Sequence, residues 1–246
     1  MSAALYAEFR KLLSVRSTYI ISAIGLLITG FIAFWATGYR GGPVFGPESI
    51  QSTVYNDISV VAIFTGIVAV LLICHEYRYT TINYTLAASN SRLKVFLAKF
   101  IVVGASAAVM TLFSIAWIVG LVLLGAHLAG NAFPDQVIDV FSILWKTLAY
   151  MIGGAWFGLI LGFLSRNIVF AVVAYFLIPV IEQILHGLMH VSTNYMPNAA
   201  QGQILQTTAT PAPGIFSPAA SAGVFGAYLL GLGIVALILF VRKDAN

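Results

Sequence analysis

The sequence predicts an all-α integral membrane protein with six transmembrane helices, and three observations lead to this fold class. Of its 246 residues, 60% are hydrophobic and only 8% are charged, whereas ordinary soluble domains carry about 25% charged residues. Its mean hydropathy is +0.97. Its apolar residues form long runs, and about 20 consecutive apolar residues cross a bilayer as a helix. A chain with so little polar surface requires lipid as its solvent.

Six apolar runs mark the predicted spans, which together form a single transmembrane domain over residues 1–246. The runs lie at about residues 18–38, 58–74, 100–124, 147–164, 168–183 and 222–241. No soluble domain fits between them. The longest connection, residues 186–221, is rich in proline, which is typical of turns and irregular segments. We expect this external segment to form short helices over the outer end of the spans.

Lysine and arginine fall almost entirely on one side of the predicted spans. With a cytoplasmic N-terminus, ten of the twelve basic residues face the cytoplasm, and only Arg40 and Lys146 lie outside. An excess of lysine and arginine marks the cytoplasmic side. Both termini are therefore expected in the cytoplasm, and the chain is expected in the cell membrane as a multi-pass protein. Topology explains the net charge of +4, so nucleic acid is not a predicted partner.

The N-terminal segment, residues 3–15, has the pattern of an amphipathic helix. Leu5, Phe9, Leu12 and Leu13 recur at helical spacing, with charged residues between them. Such a helix is suited to lie in the inner membrane interface. The pattern fits equally well with a basic flank that only sets topology.

The largest predicted cytoplasmic segment, residues 75–99, lacks glycine and proline and contains several aromatic residues. Thr80 or Thr81 is placed to cap a short helix that runs to about Ala88, and Ser89 or Ser91 to cap a second helix that continues into the third span. The first helix is expected to expose four side chains that are typical of binding surfaces, namely Tyr77, Arg78, Tyr79 and Tyr84. A solvated basic loop is the alternative interpretation.

Several short motifs in order resemble bacterial ABC transporter permeases of the type-2 exporter class. Residues 76–82, 86–87, 91–92 and 98–99 resemble the first cytoplasmic loop of that family, and residues 8–12 and 15–18 its N-terminal interfacial helix. Glu182 and residues 195–201 resemble the end of span five and the external segment that follows it. Thr80-Thr81 departs from the family's frequent glycine-threonine pair, and Asn90 stands where a proline is frequent.

The resemblance implies a half-transporter. A second permease copy, identical or related, would pair with this chain, and each copy would dock a separate ABC ATPase through a coupling helix. The residues implied at the coupling loop are Glu76, Tyr77, Arg78, Thr80, Thr81, Tyr84, Ser91 and Arg92. Those implied at the interfacial helix, beside membrane lipid, are Glu8, Phe9, Arg10 and Lys11.

The sequence contains no G-x-x-x-x-G-K-[ST] motif, which cradles nucleotide phosphates in many ATPases. The chain is therefore expected to be no enzyme and to bind no cofactor, with ATP and Mg²⁺ on the partner subunit. The sequence HEYRY differs from the H-E-x-x-H zinc motif because Tyr79 stands where the second histidine belongs.

Glu182 is the clearest ionisable residue within a predicted span, and such residues are functional candidates because their burial is costly. Pro179 is expected to kink span five, after which a short helix returns outward. Glu182, His186 and His190 then share one helical face, which makes them weak candidates for a metal site. Glu182 and Pro179 are more strongly predicted to act in gating or packing, and hydrogen bonding of Glu182 to backbone or to a histidine is the plainer alternative.

Glycine and alanine recur at every fourth position in spans four and six, a spacing that lets helix backbones approach closely. The rows comprise Gly154, Gly158 and Gly162, and Gly223, Ala227 and Gly231. We expect these rows to pack within one subunit rather than between subunits.

The leading function is export of a hydrophobic or amphipathic substrate, such as a drug, peptide or lipid, by an ATP-driven permease. An ion-driven secondary transporter is one alternative, although such proteins are often built from internal repeats, which this sequence lacks. A membrane anchor or immunity protein that binds a partner without transport is the other.

Overall fold

A computed structural model describes residues 2–39, 47–89, 91–130, 139–189, 193–207 and 215–242. Within these ranges the chain is almost entirely helical and forms no strand. Six of the helices are long and apolar enough to cross a membrane. The prediction of an all-α fold with six membrane-spanning helices is therefore confirmed.

The helices follow the predicted order along the chain. Helix α2 continues into a π-helix, Ala33–Tyr39, and a 3-10 turn, Thr193–Tyr195, precedes α8. The remaining bounds are α1 Ser2–Ser14, α2 Arg16–Ile32, α3 Pro47–Arg78, α4 Thr81–Ala88, α5 Arg92–Ala129, α6 Val140–Ser165, α7 Ile168–Met189, α8 Pro197–Gln203 and α9 Pro218–Arg242.

Several helices extend beyond the apolar runs that predicted them. Helix α3 begins at Pro47, although its predicted span begins at residue 58, and α5 begins at Arg92, although its predicted span begins at residue 100. Hydropathy detects only the part of a helix that is apolar. The backbone hydrogen bonds of the helix continue into the polar flanks, where hydropathy gives no indication of them.

The six spans place the short helices at two opposite ends of the bundle. Helix α4 joins the second span to the third, and α8 precedes the sixth span. Because consecutive spans cross in alternate directions, α1, α4 and the last turn of α9 lie at one end, called here the α4 end. Helix α8 lies at the other, called the α8 end.

Helix α6 lies at the centre of the fold and packs closely against α3. A Cβ added at Gly158 would lie 2.5 Å from the backbone oxygen of Gly66, so only glycine permits this approach. The row of small residues in α6 thus packs within the chain, as predicted. The row in α9 does not, because a Cβ at Gly223 or Gly231 meets no atom within 4 Å.

Both helices of the 75–99 segment are present, but their predicted caps are not. Helix α4 begins at Thr81 and α5 at Arg92, yet neither Thr80 nor Ser91 makes a side-chain cap hydrogen bond. Thr80 adopts a left-handed conformation with φ of 54°, and its hydroxyl donates to the carbonyl of Tyr79 at 2.7 Å. A capping residue needs extended backbone, which the tight turn from α3 into α4 does not allow.

Candidate functional site

A buried ion network lies at the α4 end and joins three helices. The amine of Lys99, on α5, has no exposed surface and donates to Glu8 Oε2 and to Glu76 Oε1, each at 2.6 Å. Glu8 belongs to α1 and Glu76 to the last turn of α3. Residues far apart in the sequence are therefore held together by charge-assisted hydrogen bonds, which are stronger than neutral ones.

Lys11 extends this network to α4. Its amine donates to Glu8 Oε1 at 2.8 Å, to Glu76 Oε1 at 2.9 Å and to the hydroxyl of Thr85 at 2.9 Å. A lysine amine has three N–H donors, so each of them has a partner here. Thr85 lies on α4 and donates in turn to the carbonyl of Thr81 at 3.3 Å. Helix α4 is thus connected to the charges that join α1, α3 and α5.

The four ionised side chains balance one another. Two lysines face two glutamates, and burial of unpaired charge would cost several kcal/mol per ion. Burial by itself would lower the pKa of Lys11, but the attraction of Glu76 and the hydrogen bond and charge of Glu8 raise its pKa above the ordinary value of 10.5 overall. Lys11 is therefore held in its charged form at neutral pH.

Helix α1 directs its charged face into the protein. Glu8 is 1% exposed, while Tyr6, Phe9 and Leu13 are exposed. Glu8 and Lys11 are three residues apart, so both lie on the face that contacts Glu76 and Lys99. The outward apolar face is the one expected to contact lipid, and Arg10 lies over the ring of Tyr6 at 5.8 Å.

Helix α4 has one face in the core and one face exposed. Ile82 is fully buried and Leu86 packs against the same hydrophobic cluster. Tyr84 of α4 is 76% exposed, and Tyr79, in the turn before α4, is 61% exposed. The guanidinium of Arg78, the last residue of α3, lies 5.7 Å from the ring centroid of Tyr79. We call Arg78, Tyr79 and Tyr84 the docking face. The docking face thus comprises the last residue of α3, the turn that follows it and the exposed side of α4.

Tyr77 does not belong to this docking face, which corrects the expectation that it is exposed. It packs against the core cluster, and the guanidinium of Arg166 lies 5.3 Å from its ring centroid. Tyr77 precedes Arg78 at the end of α3, where the helix still rests on the bundle. The residues on either side of Tyr77 face opposite sides of the helix, with Glu76 buried and Arg78 exposed.

Two arginines secure the end of α9 at the same end of the bundle. Arg92 donates to the carbonyls of Phe240 and Val241 at 3.3 and 3.1 Å. Arg166 donates to the carbonyl of Leu239 at 3.2 Å. The last carbonyls of a helix have no partner within it and carry partial negative charge. These cations supply the missing donors and join the start of α5 and the end of α6 to the end of α9.

A family model described as ABC-2 family transporter protein matches residues 4–182. The match covers more than half of the chain and includes α1, the ion network, α4 and the first five spans. The chain belongs to the ABC-2 transporter family. No curated protein matches it significantly.

Membership in the ABC-2 family indicates the kind of protein that contains this ion network and docking face. The chain is a multi-pass membrane protein of a transporter, and proteins of this family are membrane subunits that are generally not catalytic. Such permeases typically work with an ATPase subunit. In this chain, helix α4 lies between the second and third spans.

The predicted candidate at the α8 end, Glu182, holds α8 against α7. Its two carboxylate oxygens accept backbone hydrogen bonds from Asn198 at 3.0 Å and from Ala199 at 2.9 Å. A carboxylate at the start of a helix satisfies free N–H groups and interacts favourably with the helix dipole. Pro197 at the first position also suits a helix start. The carboxylate of Glu182 therefore holds the start of α8 through backbone hydrogen bonds.

Pro179 lies inside α7, which runs without interruption from Ile168 to Met189. The expectation of a separate short helix that returns outward after this proline is wrong, because α7 continues past it to Met189. Proline removes one backbone hydrogen bond, and membrane helices tolerate this because neighbouring groups satisfy the freed carbonyl.

The metal interpretation concerns Glu182, His186 and His190. His186 is exposed, and His190 lies outside the described residues. Within the described part of the chain, no three His, Cys, Asp or Glu side chains are grouped as metal ligands. Because one member of the trio is not described, the metal site stays a weak prediction.

A cavity of about 370 Å³ lies next to α8, between α3, α6 and α7. Its wall combines aromatic side chains such as Tyr150, Tyr175 and Phe176 with polar ones such as Ser59 and Gln201. Apolar walls with a few polar groups are typical of ligand pockets. Tyr175 and Phe176, which are neighbours on α7, both line this cavity.

Sequence reasoning did not assign a role to Lys99, Thr85 or Arg166. Lys99 stands at the start of an apolar span, where a lysine is ordinarily a flank that sets topology, so nothing in the sequence indicates that its charge is buried. Glu8, Lys11 and Glu76 were predicted site residues, and the structure brings them together. Thr85 gives no pattern in the sequence that would have identified it.

Proposed function

We propose that this chain is the membrane-spanning permease subunit of an ATP-driven exporter. A separate ABC ATPase binds ATP and Mg²⁺ and docks on α4, and a second permease copy completes the transport path. The substrate is hydrophobic or amphipathic, such as a drug, a peptide or a lipid, and it leaves the cytoplasm. The proposal rests on the ABC-2 family membership together with the two faces of α4.

The two faces of α4 are the observation that carries the proposal. The docking face offers one arginine and two tyrosines, which are residue types enriched at energetically important interface positions. The buried face connects to α1, α3 and α5 through Thr85, Lys11 and Ile82. A displacement of α4 by a partner would therefore act on the ends of three other helices.

The distribution of basic residues supports a cytoplasmic α4 end. This end carries Arg10, Arg16, Arg78, Lys94 and Arg242 on exposed positions, and lysine and arginine accumulate on the cytoplasmic side of membrane proteins. An ATPase would then meet α4 in the compartment that contains ATP. A single cysteine at Thr80 should react with an impermeant maleimide only from the cytoplasmic side, and one at Val140 only from outside.

The unequal burial of the spans supports pairing with a second permease copy. Within one chain, only 11% of the residues in the most apolar part of α7 and 17% of those in α9 are buried, against 67% of those in α6. Peripheral spans face either lipid or another subunit. Chemical cross-linking of the purified complex, followed by mass measurement, tests whether two copies are present.

The docking experiment compares matched tyrosines. The chain is purified with its candidate ATPase, and Tyr79 and Tyr84 are replaced together by alanine. Loss of copurification and of permease-dependent ATP hydrolysis is expected. The control is Tyr195→Ala, because Tyr195 is also 61% exposed but lies near α8. Equal binding by both variants would overturn docking on α4.

A second variant separates docking from coupling. Thr85→Val removes the hydroxyl that accepts from Lys11 and leaves the exposed tyrosines in place. We expect the ATPase to bind as in the wild type, while stimulation of ATP hydrolysis and substrate export both fall. Unchanged export would show that the connection through Thr85 does not transmit movement. Normal export without any ATPase would instead favour the ion-driven alternative.

A further inference from the structure

The cavity beside α8, called here the α8 cavity, has a buried back wall and an exposed mouth. Phe157 and Phe225 line the back and are buried. The mouth is lined by exposed residues of α3 and α7, namely Ile63, Phe176 and Val180. The volume of about 370 Å³ lies within the range of small-molecule pockets, about 300–1,000 Å³. A small molecule would therefore enter from the side of the bundle, between α3 and α7.

Tyr175 closes the α8 cavity on the side of the α4 end. Its hydroxyl donates to the carbonyl of Ala62 at 3.4 Å. A Cβ added at Gly66 would collide with this hydroxyl, and one added at Gly154 would lie 3.7 Å from it. The ring of Tyr175 is thus seated where α3 crosses α6, in space that the two glycines leave open.

Helix α8 closes the opposite end of the cavity. Its residues Asn198 and Gln201 line the wall, and Glu182 holds the start of the helix through the backbone of Asn198 and Ala199. The side-chain amide of Gln201 donates to the carbonyl of Tyr150 at 3.2 Å. Bonds to α7 and α6 therefore fix the polar groups that α8 contributes to the wall.

Two polar groups of the wall remain available to a ligand. Gln201 is 8% exposed, and its Oε1 accepts no hydrogen bond from the described residues. The hydroxyl of Tyr150 has no partner among the described residues either. Polar groups in protein interiors nearly always have hydrogen-bond partners. A ligand with one donor and one acceptor, such as an alcohol, would satisfy both groups.

The rest of the wall determines the class of ligand. Aromatic rings pack favourably against other rings, and the cavity is lined by Tyr150, Phe157, Tyr175, Phe176 and Phe225. None of the described residues that line it is charged. A charged ligand would lose its hydration there without gaining a counter-charge, which is costly. The wall therefore favours an uncharged aromatic molecule with a hydrogen-bonding group.

We propose that the α8 cavity binds an uncharged aromatic amphiphile, with its rings among the aromatic side chains and its polar group between Tyr150 and Gln201. The inference rests on the proposed function in one respect, because it makes this class of molecule the exported substrate. Binding to the chain without its ATPase tests the site separately from transport. Specific binding without ATP-driven export would support the site and contradict only the proposed function.

Photochemical labelling tests the site with three benzophenones that differ in one group. They carry a hydroxymethyl group, a carboxylate or a trimethylammonium group, and they are compared at equal membrane-bound concentration. The full chain is irradiated in lipid vesicles, and the labelled residues are located by mass spectrometry. We expect saturable labelling of the cavity wall by the hydroxymethyl probe, with roughly tenfold tighter binding than the charged probes because burial of unpaired charge is costly. Equal labelling by all three probes, or labels spread over the lipid-facing residues of α7, would overturn the proposal.

Tyr150→Phe tests the polar end of the site. This change keeps the ring and removes only the hydroxyl, so the hydroxymethyl probe should bind about three- to tenfold more weakly, as expected for one lost hydrogen bond. The control is Tyr228→Phe, because Tyr228 lies on α9 and does not line the α8 cavity. Equal affinity of the two variants would contradict binding at Tyr150.

A second pair of variants tests the mouth of the cavity. Val180 and Ile181 are neighbours on α7 and are 50% and 46% exposed, but only Val180 lines the cavity. Val180→Trp should narrow the mouth and reduce labelling of the wall, whereas Ile181→Trp should leave it unchanged. If both variants reduce labelling equally, the probe does not bind in this cavity.

Discussion

Lys99 Nζ lies 2.6 Å from Glu76 Oε1, and the lysine side chain has no exposed surface. Lys99→Met would leave Glu8 and Glu76 buried near each other without their main counter-charge. Removal of one partner of a buried ion pair costs about 3–5 kcal/mol, so we expect a loss of this size in the free energy of unfolding, measured in mixed micelles. Lys94→Met, at an exposed lysine of the same helix, should change it by no more than about 0.5 kcal/mol. Similar values for the two variants would contradict a stabilising network.

Lys11 makes stability depend on alkaline pH. Its pKa is raised in the folded protein, so the folded state binds its proton more tightly than the unfolded state does. The stabilisation is fully present below the ordinary lysine pKa of 10.5 and is lost as pH rises through the folded value. We expect the melting temperature of the wild type to fall above about pH 10.5 more steeply than that of Lys11→Met. Parallel melting curves across this pH range would show that Lys11 does not contribute.

The sequence predicts the spans well and their contacts poorly, for a physical reason. The apolar length that crosses a bilayer is a local property, so six spans could be predicted from the apolar runs alone. The pairing of Glu8 with Lys99 depends on how α1 and α5 pack. The amphipathic pattern of α1 predicted a helix in the membrane interface, but it did not predict that Glu8 on this helix pairs with buried Lys99. Likewise, nothing local distinguishes partly buried Tyr77 from exposed Tyr79.

The departure from the family pattern at Thr80 coincides with an unusual backbone conformation. Thr80 stands where related loops often have glycine, and it adopts a left-handed conformation. Thr80→Gly should raise the free energy of unfolding by about 0.5–1 kcal/mol, because relief of left-handed strain exceeds the entropy cost of glycine. Thr81→Gly, one residue later in α4, should lower it by roughly 0.3–0.5 kcal/mol. Destabilisation by both changes would mean that Thr80 is not strained.

The close approach of α6 to α3 predicts opposite effects of the same substitution at two glycines. Gly158→Ala would place a Cβ 2.5 Å from the Gly66 carbonyl oxygen, and such overpacking typically costs about 1–3 kcal/mol. Gly120 lies within α5, where an added Cβ meets no atom within 4 Å. Gly120→Ala should therefore stabilise the protein by about 0.5–1 kcal/mol, because alanine favours the helix over glycine. Unfolding in mixed micelles gives both values, and a neutral Gly158→Ala would show that the two backbones can separate without loss of stability.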